Sequence, residues 1–487
     1  MSPNSDPRPE RNRALDLIRR SSSAEQAVAG SLSWPARMVR RPGKAMLFFA
    51  FAFAVMADPV SSVAYAIEAA LRALNGHLEL LLPTMGLVIG IIALITLNYW
   101  QLIRAFPQGG GSPEAAGTAF GEGWTFLPIG ALVVDFALTI AISIAAAGSA
   151  AIDYFPALAS VRIPLALGLL LVVAGLTWFG HGGRLVFALM TCLFIFAAVA
   201  VLALGWVSPH ETHADAPITG SASPVLVAVI LAFPVAMALA TGTEAPATSI
   251  AQLAQLDDKG RWRFGRGTLG LTIVIVGALT MGLTALAVHL NVGIPAADST
   301  QIGDLAEASA GRGGLFAFFQ LSSGLLLLSA AASSFQAGPG LLKALAHGRR
   351  PGQKGLLAPI LGEANKHHTP VAAVVVYTLI SAAIILAASG QEQELVLVYA
   401  VAVFVSFLAG LLAMAHFARQ RGDRLMTALN LIGAVTVVFT LIVNLARGWP
   451  LLSIAGTALV AAFLYWRWLE AGRPRGIEAV ERDAELG

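Results

Sequence analysis

Three carboxylic acids lie inside apolar stretches of the chain, each beside hydroxyls or a helix breaker. Asp58 sits in Ala57-Asp58-Pro59-Val60-Ser61-Ser62, with apolar residues Met46–Met56 before it and Val63–Ile67 after it. Glu244 falls within Thr241-Gly242-Thr243-Glu244-Ala245-Pro246, which follows another apolar run. Asp135 precedes Thr139 and Ser143 at intervals of four, so all three share one face of a helix. A carboxylate near the centre of a bilayer costs about 2.5–3.5 kcal/mol on insertion scales, and such acids face a partner or a wet cavity. Proline removes a backbone donor and clashes with the preceding turn, so the helix is expected to open at Asp58-Pro59. Unwound backbone at that depth must be buried in protein or line a cavity. The plainer reading of the first break is a kink whose Asp is satisfied by a neighbouring helix. A second break of the same make-up shifts the weight to a binding site built from free carbonyls and carboxylates. Hydroxyls in membrane helices often bond one turn back, which would account for Thr139 and Ser143 but not for Asp135.

The composition says what must hold these residues. Of 487 residues, 57% are hydrophobic and 12% are charged, with a mean hydropathy of +0.74. Soluble domains carry about 25% charged residues, so a polytopic helical membrane protein is expected. A single cysteine, Cys192, excludes an intrachain disulfide and any multi-Cys metal site. Apolar spans are expected at 45–73, 82–105, 123–152, 160–179, 185–206, 223–256, 267–291, 313–342, 369–389, 392–417, 425–446 and 449–467. With both termini cytosolic, only Arg72, Arg162, Arg312 and Arg447 fall in outer loops, and the other 27 of 31 basic residues lie inside. The expected organisation is a mostly disordered cytosolic tail over 1–44, a ten-helix core over 45–417, two appended helices over 418–468, and a short cytosolic tail over 469–487.

The two breaks fall in spans one and six, five spans apart. Interrupted helices in corresponding positions of two halves point to the binding site of an inverted-repeat transporter. Other stretches read more plainly. Gly109-Gly110-Gly111-Ser112-Pro113-Glu114 follows a helix and lacks Gly-Lys-Ser/Thr, so it is expected to be a turn between packed helices, as is Gly338-Pro339-Gly340. His181, His347, His367 and His368 have no metal-ligand spacing. Asp58 and Asp135 could be imagined as the pair of an intramembrane aspartyl protease, but the Gly-x-Gly-Asp context of such enzymes is missing at Val133-Val134-Asp135-Phe136. No enzymatic activity is expected. Glu68, about 15 Å beyond Asp58 along a helix, should pair with Arg72 one turn on, near the outer mouth.

On these motifs the chain resembles the amino acid–polyamine–organocation (APC) superfamily, and within it the KimA-type potassium importers, over roughly residues 45–467. The Asp-x6-Tyr of span one corresponds to Asp58 and Tyr65. The Asp-x3-Thr-x3-Ser of span three corresponds to Asp135, Thr139 and Ser143. The Thr-Gly-x-Glu of the second break is Thr241-Gly242-Thr243-Glu244, and the span-ten tyrosine is Tyr399. The resemblance implies a five-plus-five inverted repeat (LeuT-like) with broken helices 1 and 6, and a potassium site between spans one, three, six and ten. There are departures. Phe136 stands where the importers carry a tyrosine, and their C-terminal cytosolic nucleotide-binding domain has no counterpart here, so its control and its dimerisation are not carried over.

The residues also bear on the substrate. Permeases of this shape hold a substrate carboxylate on the backbone amides of a Gly-rich break, whereas this first break offers a negative charge and one amide fewer. Asp58, Asp135 and Glu244, with hydroxyls from Tyr65, Thr139, Ser143, Thr241 and Tyr399, suit a hard monovalent cation. Three crowded carboxylates do not all stay charged cheaply, so any of the acids is a candidate to couple a proton to the cation. The expectation is proton-coupled uptake of potassium across the plasma membrane by alternating access. The alternative is a proton-coupled amino acid or amine permease, since an amine would also be drawn to Asp58. The expected partners are the lipid bilayer and a small cation or small molecule. No nucleic acid is expected, nor any cofactor beyond the transported potassium ion and proton.

Overall fold

Apolar runs of this length satisfy their backbone polar groups in a membrane only by coiling, and every regular element among the described residues is helical. The computed structural model describes residues 44–179, 184–210, 224–253, 256–347, 355–448 and 450–477. Nearly all of the tail expected over 1–44, and 478–487 of the C-terminal one, lie outside the described residues. The chain falls into two units, Met1–Leu47 and Phe48–Gly487, and the packed helices belong to the second.

Among the described residues ten helices are long and apolar enough to cross a membrane: Leu78–Ala105, Glu122–Tyr154, Pro156–Trp178, Leu185–Val207, Val225–Thr248, Asp258–His289, Gly314–Ala346, Glu392–Gln420, Arg424–Leu445 and Leu451–Glu470. Two shorter apolar helices, Ala45–Val55 and Val371–Ala387, match the first and ninth of the twelve spans expected. The protein is an all-α polytopic membrane protein. Its third span, Glu122–Tyr154, is the most deeply buried of the ten and packs against the eighth, tenth and twelfth. Its run Ala145-Ala146-Ala147-Gly148-Ser149-Ala150 keeps the backbone surface low, as close packing between membrane helices requires. A Cβ on Gly130 of this span would lie 2.7 Å from the Thr457 carbonyl oxygen, so the twelfth span rests directly on its backbone.

The first break is milder than the sequence suggests. Helix Lys44–Val55 gives way to one turn, Ala57–Ser61, and then to Val63–Ala73, while Met56 and Ser62 between them keep right-handed helical angles. Nor are the carbonyls around Pro59 left free. The Ser61 hydroxyl donates to the Asp58 carbonyl and the Ser62 hydroxyl to that of Pro59, each at 2.7 Å. The two serines thus engage the Asp58 and Pro59 carbonyls, whereas the carbonyl that loses its helical donor to Pro59 is that of Val55, four residues earlier. Two carbonyls at this break are thereby engaged, and its carboxylate keeps an unpartnered oxygen. The second break is complete. Helix Val225–Ala236 tightens into a 3-10 turn, Met237–Ala240, then Thr241 is extended (ψ 144°) and Gly242 turns left-handed (φ +73°) before the chain coils again at Ala245–Thr248.

Both glycine-rich turns expected from the sequence are helical. Gly111–Phe120 forms a helix between spans two and three, started by the left-handed Gly110. Pro339 lies inside helix Gly314–Ala346, where Gly338 makes room for the Tyr377 ring, 2.6 Å from where a Cβ would stand.

The breaks lie side by side. The Ser62 hydroxyl reaches the Leu239 carbonyl at 3.2 Å, and a Cβ on Gly242 would lie 2.8 Å from Asp58 Cγ and from the Pro59 nitrogen. Gly242→Ala would add a left-handed strain of roughly 1–3 kcal/mol to this overlap. It should lower the thermal unfolding midpoint of the purified protein by several degrees, whereas Gly148→Ala, with open space around its Cβ position, should leave it unchanged.

Candidate functional site

The three intramembrane acids converge where the breaks meet. Asp135 comes from the middle of the third span and lies in the electrostatic field of Glu244 and of Asp58. Glu244, at the second break, faces Asp58 as well. Their surroundings differ. Glu244 Oε2 accepts hydrogen bonds from the Tyr99 hydroxyl and from the Ser406 hydroxyl, each at 3.2 Å. Asp58 Oδ1 and Asp135 Oδ1 are both buried and have no hydrogen-bond partner. Ser143 Oγ, two turns along the third span from Asp135, is likewise buried without a partner. Buried acceptors normally find donors, and the bare oxygens of Asp58 and Asp135 are ones that a cation or a proton can satisfy.

Tyr65 is buried one turn above the first break, near Asp58 and Asp135, with its hydroxyl facing that of Thr241. The Thr241 and Thr243 hydroxyls donate back to Ala238 and Ala240 carbonyls at 2.9 and 2.7 Å, which tethers the ends of the broken turn. Thr139 is buried on the same face as Asp135. Asp58, Tyr65, Asp135, Thr241 and Glu244 therefore gather where the breaks meet, Thr139 and Ser143 continue one and two turns along the third span from Asp135, and the side chain of Tyr399 lies outside the described residues. Its backbone belongs to helix Glu392–Gln420, which also carries Ser406. The sequence reading missed Tyr99 and Ser406, which hold Glu244, and Tyr377. The Tyr377 hydroxyl reaches the Val133 carbonyl at 3.4 Å and its ring lies in the field of Asp135. Asn98-Tyr99-Trp100 within an apolar span was the one available signal. A lone serine or tyrosine in the tenth or ninth span carries none.

A second polar network closes one end of the helix bundle. Glu68 takes the Arg72 side chain at 2.8 Å, as expected, and also accepts from the Gln301 backbone at 3.1 Å. Asp153, at the end of the third span, accepts from the Thr300 amide, the Thr300 hydroxyl and the Gln320 side chain at 3.2, 2.9 and 2.7 Å. Arg162 bonds Ser149 and the Ala297 carbonyl at 2.7 Å each. The segment 297–310 is thereby tied to spans one, three, four and eight. Beside it opens a cavity of about 280 Å³ lined by Glu68, Arg72, Arg162, Glu392, Glu394 and Arg447.

A family model described as amino acid permease matches residues 42–466. The potassium transporter KimA of Bacillus subtilis is 29% identical over 366 residues, covering 72% of this chain and 58% of the relative. The chain thus aligns with little more than half the length of that relative. Two crystal structures of a manganese transporter from Eremococcus coleocola, each of a single-site mutant, share the fold: each has a TM-score of 0.50 and 15% identity, over 90% of this chain and 98% of theirs.

Asp304, on the short helix Gln301–Ala310, is the titratable member of the closing segment. Burial first, and then the neighbouring Asp153, push its carboxyl up to about 7. An acid raised on folding is most favourable to the folded state below its unfolded pKa, near 4, and that advantage is lost as pH rises toward the folded value. Asp304→Asn should therefore gain thermal stability relative to the native chain between pH 4 and 7, with the gain level above pH 7. Parallel melting curves of the two proteins across that range check this; a difference that does not change with pH is the contrary result.

Proposed function

The chain belongs to the amino acid permease family, and from that premise we propose that it carries a monovalent cation, potassium, into the cell together with protons. That it is an integral membrane transporter, and not an enzyme, follows from the family and from the relatives. The observation that carries the finer reading is the convergence of Asp58, Asp135 and Glu244, with an oxygen of Asp58, one of Asp135 and the Ser143 hydroxyl buried and unpartnered. A bare cation loses its hydration shell on entering such a place, and only charged and neutral oxygens can replace it. Thr139, Thr241, Tyr65 and Tyr399 are the neutral oxygens in this reading. The 29% identity to the potassium transporter KimA supports the choice of ion.

The geometry also orders the acids. Glu244 is held by two donated hydroxyls and serves as a fixed counter-charge. Asp58 and Asp135 each keep a bare oxygen, so that Asp58 meets the cation while Asp135 carries the proton inward with it. The membrane potential drives cations inward by about 2.3 kcal/mol per charge per 100 mV. We place the Arg-rich loops and both termini in the cytosol, which puts the Glu68–Arg72–Gln301 and Asp153–Thr300 network on the outer side. In this orientation the structure is closed outward, and opening requires the segment 297–310 to part from span one. Spans one to five and six to ten are read as inverted halves, because each begins with a broken helix. Residues 45–417 then form the transport core, with 418–468 appended.

Uptake into proteoliposomes tests the assignment. Asp58→Asn should nearly abolish potassium uptake. Glu244→Gln should raise the half-saturating potassium concentration by roughly tenfold or more, as expected when a charged partner is lost. Asp135→Asn should chiefly remove the dependence on an inward proton gradient. Thr139→Ala and Tyr99→Phe should raise half-saturation a few-fold and leave the proton requirement intact, since neither removes a charge. The competing reading of an amino acid or amine permease gives a different pattern: accumulation of a labelled amino acid without potassium, still blocked by Asp58→Asn.

A further inference from the structure

At the bundle end opposite the Asp153 network, spans two, seven, ten and eleven enclose a cavity of about 280 Å³. Three arginines face it from three different elements: Arg104 in the last turn of the second span, Arg266 in the seventh, and Arg421 at the end of the tenth. Between the first two stands the Trp262 ring, with the Arg266 guanidinium 4.8 Å from its centroid and that of Arg104 at 6.0 Å. One indole thus gathers two like charges that would otherwise repel. Cation–π contact of this kind holds a cation in place without neutralising it.

The nearby acids are engaged elsewhere. Asp257 caps Gly260 at 3.0 Å, and Asp258 takes the Gln108 side chain at 2.6 Å and pairs with Arg261 at 3.8 Å. Asp423, which faces the cavity, caps Met426 at 3.0 Å. Among the described residues Arg104, Arg266 and Arg421 have no ion pair, so the cavity keeps an excess of positive charge.

The walls are apolar where the charges stop. Leu97, exposed two turns before Arg104, lines the cavity together with Met414, Ala418 and Met426. On the adjoining surface Val274 and Leu425 are about two-thirds exposed, as lipid-facing residues are. Arginines and tryptophans at the ends of apolar helices lie at headgroup depth. An anion that fits must therefore carry negative charge at its head and hydrocarbon behind it. We propose that this cavity binds the phosphate of an anionic phospholipid, clamped by Arg104, Arg266 and Arg421, with the acyl chains lying along Leu97. Basic pockets between membrane helices bind such headgroups. The site stands apart from the acidic cluster and does not depend on which solute is carried.

Native mass spectrometry of the full-length purified protein tests this, by titration with phosphatidylglycerol and with phosphatidylcholine of identical acyl chains. Phosphatidylglycerol should bind the native chain at least about five-fold tighter. Arg104→Gln and Arg266→Gln should each reduce that preference by roughly five-fold, the loss expected for one basic residue at the surface. Arg104→Lys should retain most of it, and Arg475→Gln, exposed and outside the cavity, should retain it fully. Equal binding of the two lipids by the native chain would overturn the proposal, as would an undiminished preference in the folded glutamine variants. A third arm uses inorganic phosphate alone. If millimolar phosphate displaces phosphatidylglycerol from the native chain, the site belongs to a soluble anion and the lipid assignment fails. The native-chain comparisons decide the matter even if a variant does not fold.

Discussion

The close approach of Gly242 to Asp58 and Pro59 is the contact on which the interior of this bundle depends. Two helices that each lose their regular hydrogen bonding at mid-span are expensive on their own, because hydrocarbon offers no replacement partners. Set against each other, they share the cost. Ser62 reaches across to the Leu239 carbonyl while still serving Pro59, and the threonines of the second break return to the turn they leave. Only a residue without a Cβ permits the approach, and the same residue supplies the left-handed turn that ends the sixth helix. Several carbonyls at both breaks are thereby engaged, while Asp58 and Asp135 keep unpartnered carboxylate oxygens.

Charge is distributed around this centre in three distinct ways. At the bundle centre it is negative and concentrated in three side chains, two of which keep a bare oxygen. At the end closed by 297–310 both signs alternate, and nearly every member is paired: Glu68 with Arg72 and Gln301, Asp153 with Thr300 and Gln320, Arg162 with Ser149. Such a network holds two elements together in one arrangement and releases them when the bonds exchange for water. At the other end, two arginines crowd on Trp262 and, among the described residues, neither forms an ion pair. A gradient of this kind, unpaired negative at the centre and unpaired positive at one end, favours cations inside the protein and anions at its rim.

The sequence by itself determined the class of molecule, the number of apolar segments and the positions of both breaks, since insertion into hydrocarbon imposes local rules on composition and length. It also determined the acids: Asp58, Asp135 and Glu244 stand out one by one because each is costly at its depth. The periodicity of four in Asp135, Thr139 and Ser143 placed them on one face, and the i,i+4 spacing of Glu68 and Arg72 foretold their pairing. What the tertiary structure decided is everything that passes between helices. That Tyr99 and Ser406 would donate to Glu244, and that Tyr377 would lie against the third span, could not be read locally, because a hydroxyl in an apolar helix carries no signal until its partner is known. The same holds for the first break, where two serines engage the Asp58 and Pro59 carbonyls, and for Pro339, which the surrounding helix absorbs. Local rules say what a residue costs; only the neighbours brought by the fold say how that cost is met.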